Sequence, residues 1–207
     1  MSLARALIRA GRRSEGETEI IRAWQTMPMT EELQKAFLAD FGALITPHHT
    51  ARLDRLLWDH HLVSSRRMLE LVPEGHRKLA EARMALQERA AGVDAKIAAV
   101  PDSLKDDAGL AYDRFDWRDQ KGRRESAIQM LMERSVSAEK LGRPEDWLRR
   151  RRDLARQDMR DGNNERAYQL AAYHFSTPEA GYGYSDCEWL AGYIALRKLN
   201  DAALAAQ

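Results

Sequence analysis

Pro144-Glu-Asp-Trp-Leu-Arg-Arg-Arg-Arg-Asp-Leu-Ala-Arg156 decides the fold class of this chain. Proline opens the stretch, where its missing N–H costs a helix nothing, and two carboxylates follow in the first turn, where the helix dipole favours them. Trp147, Leu148, Arg151, Leu154 and Ala155 then fall on one helical stripe. Downstream, Ala167-Tyr-Gln-Leu-Ala-Ala-Tyr-His174 repeats the period with Ala167, Leu170 and Ala171. Ser185-Asp-Cys-Glu-Trp-Leu-Ala-Gly-Tyr-Ile-Ala-Leu-Arg197 carries it again, and here Trp189, Gly192, Tyr193 and Leu196 read as the packed stripe. Small residues at Ala167, Ala171, Ala191, Gly192 and Ala195 would let such helices approach closely around large aromatics.

The same grammar extends toward the N-terminus. Thr30 is placed to cap a helix carrying Leu33, Phe37, Leu38, Phe41 and Leu44. Pro47 precedes Leu53, Leu56, Leu57 and Trp58, and Pro73 precedes Leu79, Ala82, Arg83 and Leu86, each set on one face. Further starts fall near Pro101, Arg123, Pro144, Asn163 and Tyr184, giving roughly eleven short helices whose connections make neighbours antiparallel. Composition agrees: the chain is 44% hydrophobic and 31% charged, with 12 Gly and 6 Pro, and β-branched residues are sparse. One internal repeat is visible, Asp54-Arg55-Leu56-Leu57-Trp58 returning as Asp113-Arg114-Phe115-Asp116-Trp117, each followed by an apolar patch, a proline and an arginine-bearing helix. The expectation is an all-α, right-handed superhelix of short antiparallel hairpins, a single scaffold over residues 17–207 with residues 1–16 as an N-terminal tail.

Charge and cysteine narrow the function. With 33 Lys and Arg against 32 Asp and Glu, the net charge of +1 gives no field for gathering nucleic acid. No apolar run approaches the ~20 residues that span a bilayer. The one cysteine, Cys187, leaves the compartment open. The opening Met1–Ala10 is too short and interrupted for a secretory leader, so either the chain is not exported or its leader has been removed.

Tryptophan and arginine followed by Leu-Ala-Arg156, then Ala167-Tyr-x-Leu-Ala with a histidine, then Glu188-Trp-Leu-Ala-Gly-Tyr-x-Ala-Leu-Arg197, resemble the helical superhelix of soluble lytic murein transglycosylases. Ala82-Arg83-x-Ala-Leu86, Leu110-x-Tyr-Asp-Arg-x-x-Trp117 and Ala127-x-x-x-Leu131 stand upstream in the matching order, so the resemblance covers roughly residues 50 to 205 and is strongest from Trp147 onward. It implies a periplasmic scaffold that positions peptidoglycan glycan strands for cleavage between N-acetylmuramic acid and N-acetylglucosamine. Cleavage itself, leaving a 1,6-anhydro product, would belong to a separate catalytic domain in cis. That domain's Glu-Ser and Gly-Leu-Met-Gln signature is not met here, since no Gly-Leu-Met-Gln occurs. The resemblance marks Trp147, Arg151, Tyr168, Glu188, Trp189 and Gly192 as structural motif residues. A protein-binding helical-repeat module of the tetratricopeptide kind is the competing reading, without its Trp-x-x-Leu-Gly-x-x-Tyr spacing.

Other residue groups are weighed against plainer roles. Glu125-Ser126 is followed by Ala-Ile-Gln-Met, and Glu125 reads as a first-turn dipole partner rather than a general acid. Arg149 to Arg152 spread around a full helical turn, with Arg151 facing inward. His48-His49 and His60-His61 lack the i, i+4 spacing of helical metal sites, and neither metal nor cofactor is expected. Arg55 with Trp58, and Arg114 with Trp117, could stack on a sugar; their recurrence with the hairpin favours packing between helices.

Overall fold

A computed structural model describes residues 2–206, and among them every regular element is helical. The α-helices are α1 (Ser2–Arg9), α2 (Arg13–Thr26), α3 (Glu31–Ile45), α4 (His49–Trp58), α5 (Leu62–Met68), α6 (Glu74–Gln87) and α7 (Val93–Ala98). They continue with α8 (Ala108–Gln120), α9 (Arg124–Arg134), α10 (Ala138–Leu141), α11 (Pro144–Arg160), α12 (Asn164–Ala172), α13 (Tyr182–Arg197) and α14 (Ala202–Ala205). Thr30 caps α3, its Oγ1 accepting the Leu33 N–H at 3.2 Å. Many helices end on a residue in the left-handed region; Gly122 after α8 and Gly162 after α11 have φ of +72° and +87°, where a Cβ would add strain. His60, with φ of 55°, plays the same part after α4.

The chain divides into two compact units, the first running to Leu110 and the second from Ala111. The first unit closes around Trp24, Phe37, Ile45, Leu53, Leu56 and Met68. Trp24 is fully buried and stacks on Phe37 with ring centroids 6.1 Å apart. Residues 2–9, within the expected tail, form α1 and pack on α2. Ala4 is buried there, and a Cβ on Gly16 would fall 2.6 Å from Ile8 Cγ1, so only glycine permits that approach. α3 bends at Phe41, whose φ of −132° and ψ of 15° leave the helical region.

The second unit is organised by Trp147. Its ring lies 4.9 Å from Phe115 and 5.0 Å, edge-on, from Tyr112, and its Nε1–H donates to the Leu141 carbonyl at 3.0 Å. Leu148, Arg151, Leu154 and Ala155 of α11, with Ala167, Leu170 and Ala171 of α12, are all buried, as their period requires. The third stripe is corrected. On α13 the buried side chains are Cys187, Leu190, Ala191, Ile194 and Ala195, whereas Trp189, Tyr193 and Leu196 are exposed at 61%, 37% and 49%. α13 has apolar residues on two adjoining stripes, and the one with alanines at 191 and 195 fits closest against α11 and α12.

Candidate functional site

In the first Arg/Trp pair singled out in the sequence, the two side chains go to different partners. Arg55 is exposed and donates from Nε to Asp59 at 2.7 Å, one turn along its own helix. Trp58 is 8% exposed and lies under the Arg83 guanidinium at 5.2 Å. In the second copy Trp117 is half-buried, flanked by Arg123 at 5.1 Å and Lys121 at 5.9 Å. Arg114 is half-buried as well. Trp117 Nε1 and Arg114 Nε are enclosed without a hydrogen-bond acceptor among the described residues.

Three other arginines are wholly buried, and two of them, Arg52 and Arg83, carry roles the sequence reading did not assign. Arg52 stacks 4.4 Å over Trp24 and donates from Nη1 to the Trp24 and Met27 carbonyls at the end of α2, the latter at 3.0 Å. Those carbonyls have no intrahelical donor, and a cation suits the negative end of the dipole. Arg83 donates to Asp54 at 2.7 Å, and its guanidinium occupies the space a Cβ on Gly109 would need, 2.2 Å away. Arg151 donates from Nη1 to the Leu170 carbonyl near the end of α12 at 2.9 Å, and from Nη2 to Ser135 Oγ. Burial pushes the Arg52 guanidinium down to about 10, with Arg67 adding to the effect. The Arg151 guanidinium is likewise pushed down to about 10 by burial. Each still donates to carbonyl oxygens because an arginine remains protonated at neutral pH even so. The signal available in the sequence was an arginine among apolar residues of one stripe, as in Leu79, Ala82, Arg83 and Leu86.

The arginine run fans out as helical geometry demands. Arg149 is exposed, Arg150 pairs with Asp119, Arg151 points inward, and Arg152 reaches Asp186 at 2.8 Å. Arg156 joins it on Asp186 at 2.6 Å. Burial works against the Asp186 carboxylate, but the bonds from Arg156 and Arg152 outweigh it and hold the group below its ordinary range. Glu125 is held by Arg166 at 2.6 Å, and Arg166 also grips the fully buried Asp158, which Arg124 approaches at 2.5 Å. Hydrogen bonds to Asp158 and Glu125 raise the Arg166 pKa. His49 is buried against Trp24, where burial first and then Arg52 and His48 lower its pKa. His48 shares a hydrogen bond with Gln25, and His60 and His61 are exposed in the turn after α4.

In the second unit, α12 and α13 bring aromatic and polar side chains to the surface. Trp189 and Tyr193 stack with centroids 5.3 Å apart and planes within 17°. One residue away from each along the helix, Glu188 and Gly192 line a cleft of about 240 Å³ with Tyr168, Tyr173 and Leu204. His174 is buried, and its Nδ1 accepts the Ser176 N–H at 3.0 Å. That fixes the tautomer, so Nε2 carries the proton and donates to Glu188 Oε1 at 2.6 Å. Of the motif residues Glu188 and Trp189, Glu188 lines this cleft, whereas Trp189 is exposed on the neighbouring side of α13.

No family model matches this chain, and neither does any curated protein or solved structure.

Proposed function

We propose that this chain is a non-catalytic helical scaffold of the lytic transglycosylase kind, acting in the periplasm. Its hairpins continue into a right-handed superhelix that holds murein glycan strands for a catalytic domain in cis. The observation that carries this reading is the fate of the motif arginines and tryptophans. Arg83 is tied to Asp54, Arg151 to Leu170 and Ser135, and Trp147 to Leu141. These residues therefore join helix to helix, which is the work of a frame. The ion-paired state of Glu125 supports assigning cleavage elsewhere.

Incubation of the purified chain with murein sacculi tests both halves. The chain should sediment with sacculi and release no anhydro-muropeptides. Release would overturn the non-catalytic assignment, and failure to sediment would overturn the glycan-holding one. A protein-binding helical-repeat module is the second reading, favoured by the exposed apolar stripe Trp189, Tyr193 and Leu196. Capture of one defined protein without affinity for sacculi would select it.

A further inference from the structure

The exposed apolar side chains of α13 are spaced symmetrically about Trp189. Tyr182 precedes it by seven residues and Leu196 follows it by seven, two helical turns either way, so the three share one face of the helix. Tyr193, one turn on, adjoins them. All four stand out of the fold, Tyr182 most of all at 75%. The Trp189 and Tyr193 rings stack, which holds the centre of the stripe as one preformed unit rather than two freely moving side chains. Three aromatics and a leucine so exposed present roughly 500 Å² per copy, at ~150–250 Å² for a whole aromatic side chain, and two such faces together reach the ~1,000 Å² at which a specific interface begins.

Charge divides along the same helix. Exposed Glu179 stands just before its first turn, and exposed Arg197 and Lys198 stand at its end. A second α13 laid antiparallel on the first, about a twofold axis at Trp189, sets Tyr182 of each copy against Leu196 of the other and Trp189 against Trp189. The same operation carries the Arg197 end of one copy to the Glu179 end of the other and opposes the two helix dipoles. In a parallel pair, like-charged ends would meet. The face is therefore complementary to itself in one orientation, in apolar spacing and in charge.

We propose that this face of α13 joins two copies of the chain into an antiparallel, twofold-symmetric dimer with Trp189 at the axis. The pairing goes beyond the glycan-holding reading and does not depend on it.

Sedimentation velocity on the full chain from ~1 to ~200 μM, the range suited to so small an interface, should show concentration-dependent dimerisation. Trp189→Ala and Leu196→Glu should each weaken it by at least about tenfold, as loss of a central anchor does. Val136→Ala, at an exposed apolar residue outside α13, should leave it unchanged. Unaltered helical signal and urea midpoint show that each variant is folded. Orientation is read by cross-linking Tyr182→Cys and Leu196→Cys variants under copper-phenanthroline oxidation, the native Cys187 being buried. Mixed, the two variants should join as unlike chains in preference to either cross-linking with itself. Self-cross-linking of each variant without the mixed product means parallel pairing and overturns the proposal. Dimerisation that survives both Trp189→Ala and Leu196→Glu also overturns it. So does a native chain that stays monomeric at every concentration, whether or not its Trp189 face captures a different protein or sacculi.

Discussion

At the scale of single residues, two buried arginines, Arg52 and Arg151, bond carbonyls at helix ends. Arg151 satisfies the Leu170 carbonyl and Ser135 in a site with no water access, so truncation removes packing and strands two polar groups together. Arg151→Ala should cost about 2–4 kcal/mol in urea unfolding, and Arg151→Met, which refills the volume, distinctly less. Asp186 makes a different prediction. Its folded pKa lies below the ordinary 3.8, so its ion pairs with Arg152 and Arg156 stabilise the fold fully above the unfolded value. That contribution is lost as pH falls through the folded value. The stability gap between the native chain and Asp186→Asn should be constant above about pH 5 and shrink from about pH 4 downward, read from urea midpoints across pH.

At the scale of elements, α13 shows what a helical period can and cannot settle. Its sequence places Trp189, Tyr193 and Leu196 on one stripe and Leu190, Ile194 and the alanines on the next, and both are apolar. Packing chooses the narrower side chains, because α11 and α12 can then approach closely, and the aromatics are left outside. Ile194→Ala, at a site with no exposure, should destabilise by about 2–5 kcal/mol. Trp189→Ala should stay within about 1 kcal/mol, since it loses only an exposed stacking contact. Chemical denaturation of the two variants side by side checks this, and a larger loss for Trp189 would place that ring inside the fold.

At the scale of the whole molecule, a net charge of +1 supplies no long-range attraction, so the proposed glycan holding would rest on short-range contacts. Sedimentation with sacculi should therefore change by less than about twofold between ~50 and ~500 mM salt; a steep decline would point to ionic attraction instead. The sequence by itself determined the helical class, the Thr30 cap, the starts at Pro73 and Pro144, the inward turn of Arg151 and the near-neutral charge. These follow from backbone geometry and side-chain chemistry within a turn or two of chain, which a local pattern carries in full. Only the tertiary structure decided that Arg52 and Arg83 are buried joints, that Glu125 is bound by Arg166, and that Glu188 lines a cleft while Trp189 is exposed. Those outcomes depend on residues distant along the chain, Trp24 for Arg52 and His174 for Glu188, whose meeting is fixed by how whole helices fill space rather than by any spacing within one of them.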